Sequence, residues 1–279
     1  MLSQQSIENL VERALAEDLA GGIDVTSEAT IAPEKKSRAE FRARRPGVVA
    51  GIPLAIATLE KCGVHDFSIH TNDGSHVARG DRLLTVQGNT RGILLAERTA
   101  LNFLCHLSGI ATLTSQWVAA IAGTRTAIRD TRKTTPGLRE VEKYAVRMGG
   151  GVNHRMSLSD AALIKDNHIS AAGSLTQAFS AVKERYPQLS LEVEVDTLEQ
   201  LREVIDAGAQ LVLLDNMSPE QCREAVAMTQ GRAKLEASGG ITLDRAREYA
   251  ESGVDYLAVG ALTHSAPILD IGLDFLEEK

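Results

Sequence analysis

Three cysteines in 279 residues, Cys62, Cys105 and Cys222, lie far apart with no Cys-x-x-Cys pair. That spacing excludes a disulfide framework and a zinc knuckle, and leaves three reduced thiols. No apolar run reaches the length needed to span a bilayer. The first stretch, SIENLVERALAEDLA, has no basic start and no continuous apolar block, so it is not read as a signal peptide. These absences predict a soluble, cytoplasmic protein. Basic excess is missing too: 30 Lys and Arg stand against 37 Asp and Glu, a net charge of -7, which argues against general nucleic-acid binding. His70, His76, His106, His168 and His264 show no metal-binding spacing and are read as structural.

What is present falls into two rhythms. Ile7, Leu10, Val11, Ala14 and Leu15 recur at helical spacing near the start. From about residue 37 to 88 the chain alternates apolar and polar residues around Asn-Asp-Gly and Gly-Asp turns, interrupted by one helix ending at Gly63. The segment DGSHVARGDRLLTVQG resembles the hairpins of lipoyl and biotinyl carriers but has no lysine for a hairpin tip. A structural sandwich is therefore expected. Residues 93–122 predict two helices broken near Ser108-Gly109, with Arg98 the strong cation in an apolar stretch. After residue 125, short apolar runs alternate with amphipathic helices. The last four begin at Leu191, Leu211, Leu235 and Tyr256, and each interval holds one strand, one helix and two tight loops. Such units require parallel strands covered on both faces, for which a closed α/β barrel is the expected solution. Only six strands are clear, fewer than the usual eight.

In such barrels the chemistry sits at the carboxyl ends of the strands. The six runs end, in order, on Arg132-Lys133, Lys165, Glu194, Asp215, Ser238-Gly239-Gly240 and Gly260. Each of these residue types binds phosphate, carboxylate or metal. From Arg129 to Lys165 the chain carries eight Lys or Arg against four acids, a local +4 inside a chain of -7. Arg132, Lys133, Arg155 and Lys165 are the members placed to hold anions, whereas Arg139 is read as lying outside the cradle. ASGGI before a helix starting at Thr242, with AVGALT one strand later, forms a paired phosphate seat. Glu194 and Asp215, at neighbouring strand ends, suit either salt bridges to the basic cluster or sugar hydroxyls and a magnesium ion.

RTALNFLCHLSGIAT, DTRKTTPGLREVEKYAVRMGGGVNHRMSLSDAALIKDNHI, EVEVDTLEQL, LLDNM and LEASGGI closely resemble the quinolinate phosphoribosyltransferase family, from about residue 10 onward. The resemblance implies an N-terminal α/β open sandwich, residues 1–108, to which the tail 267–279 is a candidate addition. An incomplete six- or seven-stranded TIM-like α/β barrel, residues 109–266, would follow. It implies a homodimer with shared active sites, or a higher oligomer built on it. The substrate-binding residues it implies are Arg98 from the partner subunit, Thr131, Arg132, Lys133, His154, Arg155 and Lys165. Glu194 and Asp215 would hold ribose hydroxyls and Mg²⁺, and Ser238, Gly239, Gly240, Val259, Gly260 and Ala261 the 5-phosphate. Lys133, Lys165, Glu194 and Asp215 would serve the catalytic step. The implied reaction converts quinolinate and phosphoribosyl pyrophosphate to nicotinate mononucleotide, CO₂ and pyrophosphate, in NAD biosynthesis. The rivals are a related barrel phosphoribosyltransferase for another ring carboxylate, a Schiff-base aldolase using Lys165, and a catalytically silent sensor.

Overall fold

The computed structural model describes residues 2–277. Among the described residues, twelve strands occur in the order β1 Lys36–Ala43, β2 Gly47–Val48, β3 Asp66–Ile69, β4 His76–Val77, β5 Arg82–Asn89, β6 Ala127–Arg129, β7 Ala161–Ile164, β8 Ser190–Val195, β9 Leu211–Asp215, β10 Lys234–Ser238, β11 Tyr256–Ala258 and β12 Ile271–Phe275. They fall into two compact units that interleave along the chain. One takes the residues up to Ser115, with Glu140–Gly150 and the tail from Ser265. The other takes Gln116–Arg139 and Gly151–His264.

The first unit is built on an antiparallel sheet in the order β12-β1-β5-β3. The tail strand β12 pairs with β1, from Ala39 opposite Phe275 to Ala43 opposite Ile271. Phe41, Leu84, Val86 and Ile271 of this sheet pack with Leu59, Ile93 and Leu104 of two helices in one core. Burial of such side chains stabilises by roughly 1.5–3 kcal/mol each. The Asn72-Asp73-Gly74 turn also anchors a helix. Asp73 accepts the N–H groups of Gly51 and Ile52, and the Tyr144 hydroxyl donates to it at 2.7 Å. It thereby satisfies the first donors of the helix Ile52–Lys61, which begins after a glycine with no cap of its own.

One sequence expectation fails here. Residues Thr90–Ala120 form a single helix of 31 residues, unbroken at Ser108-Gly109. The two small residues serve contacts instead. Ser108 Oγ donates to the Ala50 carbonyl and accepts its N–H. A Cβ added at Gly109 would lie 2.2 Å from the Pro267 carbonyl oxygen. We therefore expect Gly109→Ala to lower the melting temperature, at a cost of about 1–3 kcal/mol for overpacking. Helix propensity alone predicts the opposite sign, so a thermal melt separates the two.

The second unit is one parallel sheet in the order β6-β11-β10-β9-β8-β7. All six expected runs are strands. The incomplete, six-stranded barrel is what forms, and the closed solution expected from the strand rhythm does not: β6 and β7 are the edges, and among the described residues no ladder joins them. Beside β6 there is instead a single parallel bridge between Arg129 and Val152. The helices are punctuated as their sequences require. Thr197 and Ser218 cap Leu198–Asp206 and Pro219–Thr229 through reciprocal bonds with Gln200 and Gln221. The helix expected from Thr242 begins as a 3₁₀ turn, Leu243–Arg245, and only then becomes the short α-helix Ala246–Glu251.

Candidate active site

Because side chains alternate across a strand, every second residue of the parallel strands faces the same way. Leu163 and Lys165, Glu194, Leu213 and Asp215, Glu236 and Ser238, and Ala258 follow that rule and line one cavity of about 420 Å³. Thr131, Arg132, Lys133, His154 and Arg155 complete it from the loops after β6 and before β7. Nine residues named from the sequence thus meet in one place within the second unit. Arg98 does not join them: it is exposed on the helix Thr90–Ala120, in the first unit. Gly239, Gly240, Val259, Gly260 and Ala261 follow β10 and β11 without lining this cavity. Gly239 and Gly240 adopt φ of +98° and +60°, which favours glycine. At Gly239 an added Cβ would also lie 2.2 Å from Asn216 Oδ1.

The cationic wall carries more charge than it neutralises internally. Arg155 donates from Nη1 to the Ala161 carbonyl at 2.8 Å, but its buried Nε has no hydrogen-bond partner among the described residues. Arg132 Nε is buried and without a partner in the same way. Burial, then the nearby Arg132 charge, hold the Arg155 guanidinium below its ordinary pKa. Lys165 Nζ is 2.5 Å from Glu194 Oε2. The Asn216 side chain donates to Asp215 Oδ2 at 2.6 Å, leaving the other carboxylate oxygen clear of that bond.

Beneath this wall lies a buried polar layer that the sequence reading missed. His154 donates from Nε2 to Glu192 Oε2 at 2.7 Å and accepts the Arg155 N–H on Nδ1 at 2.7 Å, so both ring nitrogens are engaged. Glu236 Oε1 stands 3.8 Å from His154 Nε2, and Arg129 Nη1 donates to Glu236 Oε2 at 2.5 Å. Burial first, then the Glu192 charge, push the Glu236 carboxyl up to about 8, against the opposing pull of Arg129. His154, Glu192 and Glu236 are close enough to hold an ion, but the Arg129 guanidinium on Glu236 makes a cation there unfavourable. Asp130, fully buried, accepts the His154 N–H and the Asn153 amide and so fixes the loop that carries Arg155. Arg139 ties the Thr134 hydroxyl to the Met156 carbonyl and braces the same loops. A signal was available for two of these residues. Glu192 stands two before Glu194, and Glu236 two before Ser238, on the same side of their strands.

The family pattern described as "Quinolinate phosphoribosyl transferase, C-terminal domain" matches residues 110–274, and its N-terminal counterpart matches residues 24–108. The chain belongs to the quinolinate phosphoribosyltransferase family. It is 52% identical over 270 residues, 95% of each chain, to the nicotinate-nucleotide pyrophosphorylase [carboxylating] of Mycobacterium leprae. A mitochondrial quinolinate phosphoribosyltransferase [decarboxylating] of Nicotiana tabacum is 41% identical over 96% of this chain and 81% of its own. Among solved structures, the nicotinate-nucleotide pyrophosphorylase of Francisella tularensis superposes with a TM-score of 0.95 at 37% identity, covering 99% of this chain and 98% of that one. A quinolinate phosphoribosyltransferase has to bring two anions together, and the wall of Arg132 and Arg155, crowded and with buried donors to spare, suits that demand.

Proposed function

We propose that the cavity at the strand ends joins quinolinate to the ribosyl carbon of phosphoribosyl pyrophosphate, giving nicotinate mononucleotide, CO₂ and pyrophosphate in NAD biosynthesis. The enzyme is a decarboxylating pentosyltransferase. One observation carries the assignment of the site. Two guanidinium groups with buried, unpartnered Nε atoms line a cavity that also holds two lysines and two carboxylates at its strand ends. Unpartnered buried donors cost free energy that a bound anion returns.

In this reading Arg132 and Arg155 take the two ring carboxylates, for which a planar fork is the matching shape. Lys133 and Lys165 take diphosphate oxygens as point charges. Thr131 holds the loop, accepting the Lys133 N–H on its hydroxyl at 3.0 Å. His154, with both nitrogens engaged, keeps Arg155 in position. Glu194 and Asp215 hold the ribose hydroxyls. Ser238, Gly239, Gly240, Val259, Gly260 and Ala261 offer backbone to the 5-phosphate. The bond from the ring nitrogen to the anomeric carbon forms as the bond to diphosphate breaks. The adjacent carboxylate then leaves as CO₂, its electron pair stabilised by the pyridinium nitrogen, and the ring carbon takes a proton from water. No side chain is needed as a strong base, so the chain contributes positioning and a fixed field.

Glu194 and Asp215 are oxygen donors on adjacent strands at the rim of the cavity, and such a set fits Mg²⁺ completed by water and phosphate oxygens. When bound, Mg²⁺ would spread the charge of the departing diphosphate. The Schiff-base rival is disfavoured by the ion pair of Lys165 with Glu194, which engages the amine that would have to attack a carbonyl. Compartment is a separate matter. Among the described residues no helix is long and apolar enough to cross a membrane, and we offer the cytoplasm as the location.

The direct test is CO₂ release from quinolinate that depends on phosphoribosyl pyrophosphate; no release overturns the assignment. Arg98, exposed on its helix, is proposed to serve the site of a partner subunit in a homodimer. Mixing Arg98→Ala chains with Lys133→Ala chains should then restore up to about a quarter of wild-type turnover, where each alone has almost none. No recovery after proven subunit exchange counts against shared sites.

A further inference from the structure

A second cavity is larger than the catalytic one. It encloses about 950 Å³ at the opposite, amino-terminal end of the six-stranded sheet, where Ser190, Leu211, Lys234 and Tyr256 begin their strands. Five cations line it, Arg125, Arg129, Lys183, Arg232 and Lys234, against a single acid, Asp255. Some of that charge is already neutralised. Arg232 pairs with Asp206 at 3.1 Å and reaches the carbonyls that end the helix Pro219–Thr229. Arg129 is held by Glu236.

The other three have no ion pair among the described residues. Arg125 donates to the Gly253 carbonyl. Lys183 Nζ stands 5.4 Å from the Phe179 ring, and Lys234 Nζ 3.2 Å from the Tyr256 hydroxyl. Lysine presents a compact charge suited to phosphate oxygens. Tyr186, half-exposed on the same wall, offers an aromatic face.

We propose that this cavity is a second ligand site for a nucleoside polyphosphate, coupled to the catalytic cavity through Arg129. Its phosphates meet Lys183, Lys234 and Arg125, and its base stacks on Tyr186. Arg129 supplies the connection because it lines one cavity and binds a residue of the other. Its guanidinium lies 4.6 Å from the Tyr256 ring centroid on the lower side. On the upper side its Nη1 holds Glu236, a catalytic-cavity residue 3.8 Å from His154. An anion that draws Arg129 downward leaves Glu236 less restrained beside Glu192 and His154. His154 holds the Arg155 backbone, so the expected result is weaker quinolinate binding. The kinetic half of this inference rests on the proposed reaction; the binding half does not.

ADP is the probe, with inorganic pyrophosphate as the comparison lacking a base. Calorimetry should show ADP binding to the whole enzyme more tightly than pyrophosphate. The Lys183→Gln/Lys234→Gln double variant should weaken ADP by roughly tenfold or more for each lysine lost, with substrate KM and kcat unchanged when ADP is absent. In the wild-type enzyme, the quinolinate KM should rise severalfold and then reach a plateau as ADP increases. By linkage, quinolinate should weaken ADP binding by the same factor. A KM that climbs without limit means ADP competes in the catalytic cavity, and overturns the proposal. So does binding unchanged in the double variant, or no binding at millimolar ADP, which would leave the cations as neutralisers of helix ends. Both lysines are exposed, and the single Lys183→Gln variant answers the same question if the double fails to fold. Should quinolinate not turn over at all, the proposed reaction falls, while the calorimetry still decides the site.

Discussion

Arg155→Ala is expected to lower kcat/KM for quinolinate by about 10²–10³-fold, the usual cost of losing a desolvated charge contact in a reacting site. Stability should not fall with it. In the free enzyme the Arg155 guanidinium is partly desolvated and crowded by Arg132, and its buried Nε bonds to nothing. The bond to the Ala161 carbonyl and the attraction of Glu192 and Asp160 are lost, but burial and the repulsion from Arg132 outweigh that attraction and go with it. We expect a melting temperature equal to or above that of the wild type, a signature of a residue kept for function although it destabilises the fold. Arg155→Lys should recover only part of the efficiency, since an ammonium cannot present the bidentate fork. Steady-state kinetics beside a thermal melt test this. A large loss of stability with kcat/KM nearly intact would mean that Arg155 is a structural residue.

Glu236→Gln is expected to change how stability depends on pH. The Glu236 carboxyl is held up to about 8 by burial and by Glu192, well above the ordinary value of 4.5. A folded state that keeps a proton the unfolded chain has released loses stability as pH rises between those two values. The wild-type unfolding free energy from urea titration should therefore fall from about pH 5 to pH 8, by up to about 1.4 kcal/mol per pH unit from this group. The glutamine has no proton to lose, so its profile should be flatter, and the variant should gain on the wild type toward pH 8. Arg129→Met should act in the other direction. It removes the guanidinium that restrains Glu236, at a cost of about 3–5 kcal/mol while the carboxylate is charged. That cost should shrink as the pH is lowered and the carboxyl becomes neutral. Equal pH slopes in wild type and Glu236→Gln would show that another group controls the transition.

Strand positions were legible because the sequence repeats one physical unit. Each apolar run is bounded by a capping residue such as Thr197 or Ser218 and by glycines such as Gly208 and Gly253. The reading failed where one residue type has two uses. Gly109 looks like a helix break, yet it is a contact with the Pro267 carbonyl inside a continuous helix. In the candidate site, charge at strand ends was readable, because a sheet of parallel strands puts those ends on one rim. The layer below it was readable only as strand positions. Glu192 and Glu236 each follow an apolar residue in a strand, and nothing in the linear order says that they meet over one histidine.

The sequence by itself determined the six parallel strands, the polar residues at their ends and the family, since each depends on local periodicity or on a contiguous motif. Tertiary structure alone decided that the barrel stays open between β6 and β7, and that Arg132 and Arg155 crowd each other in a partly buried wall. It also set Arg129 between two cavities at opposite ends of the sheet. Those outcomes depend on distances between residues far apart in the chain, where burial and like charge act through space.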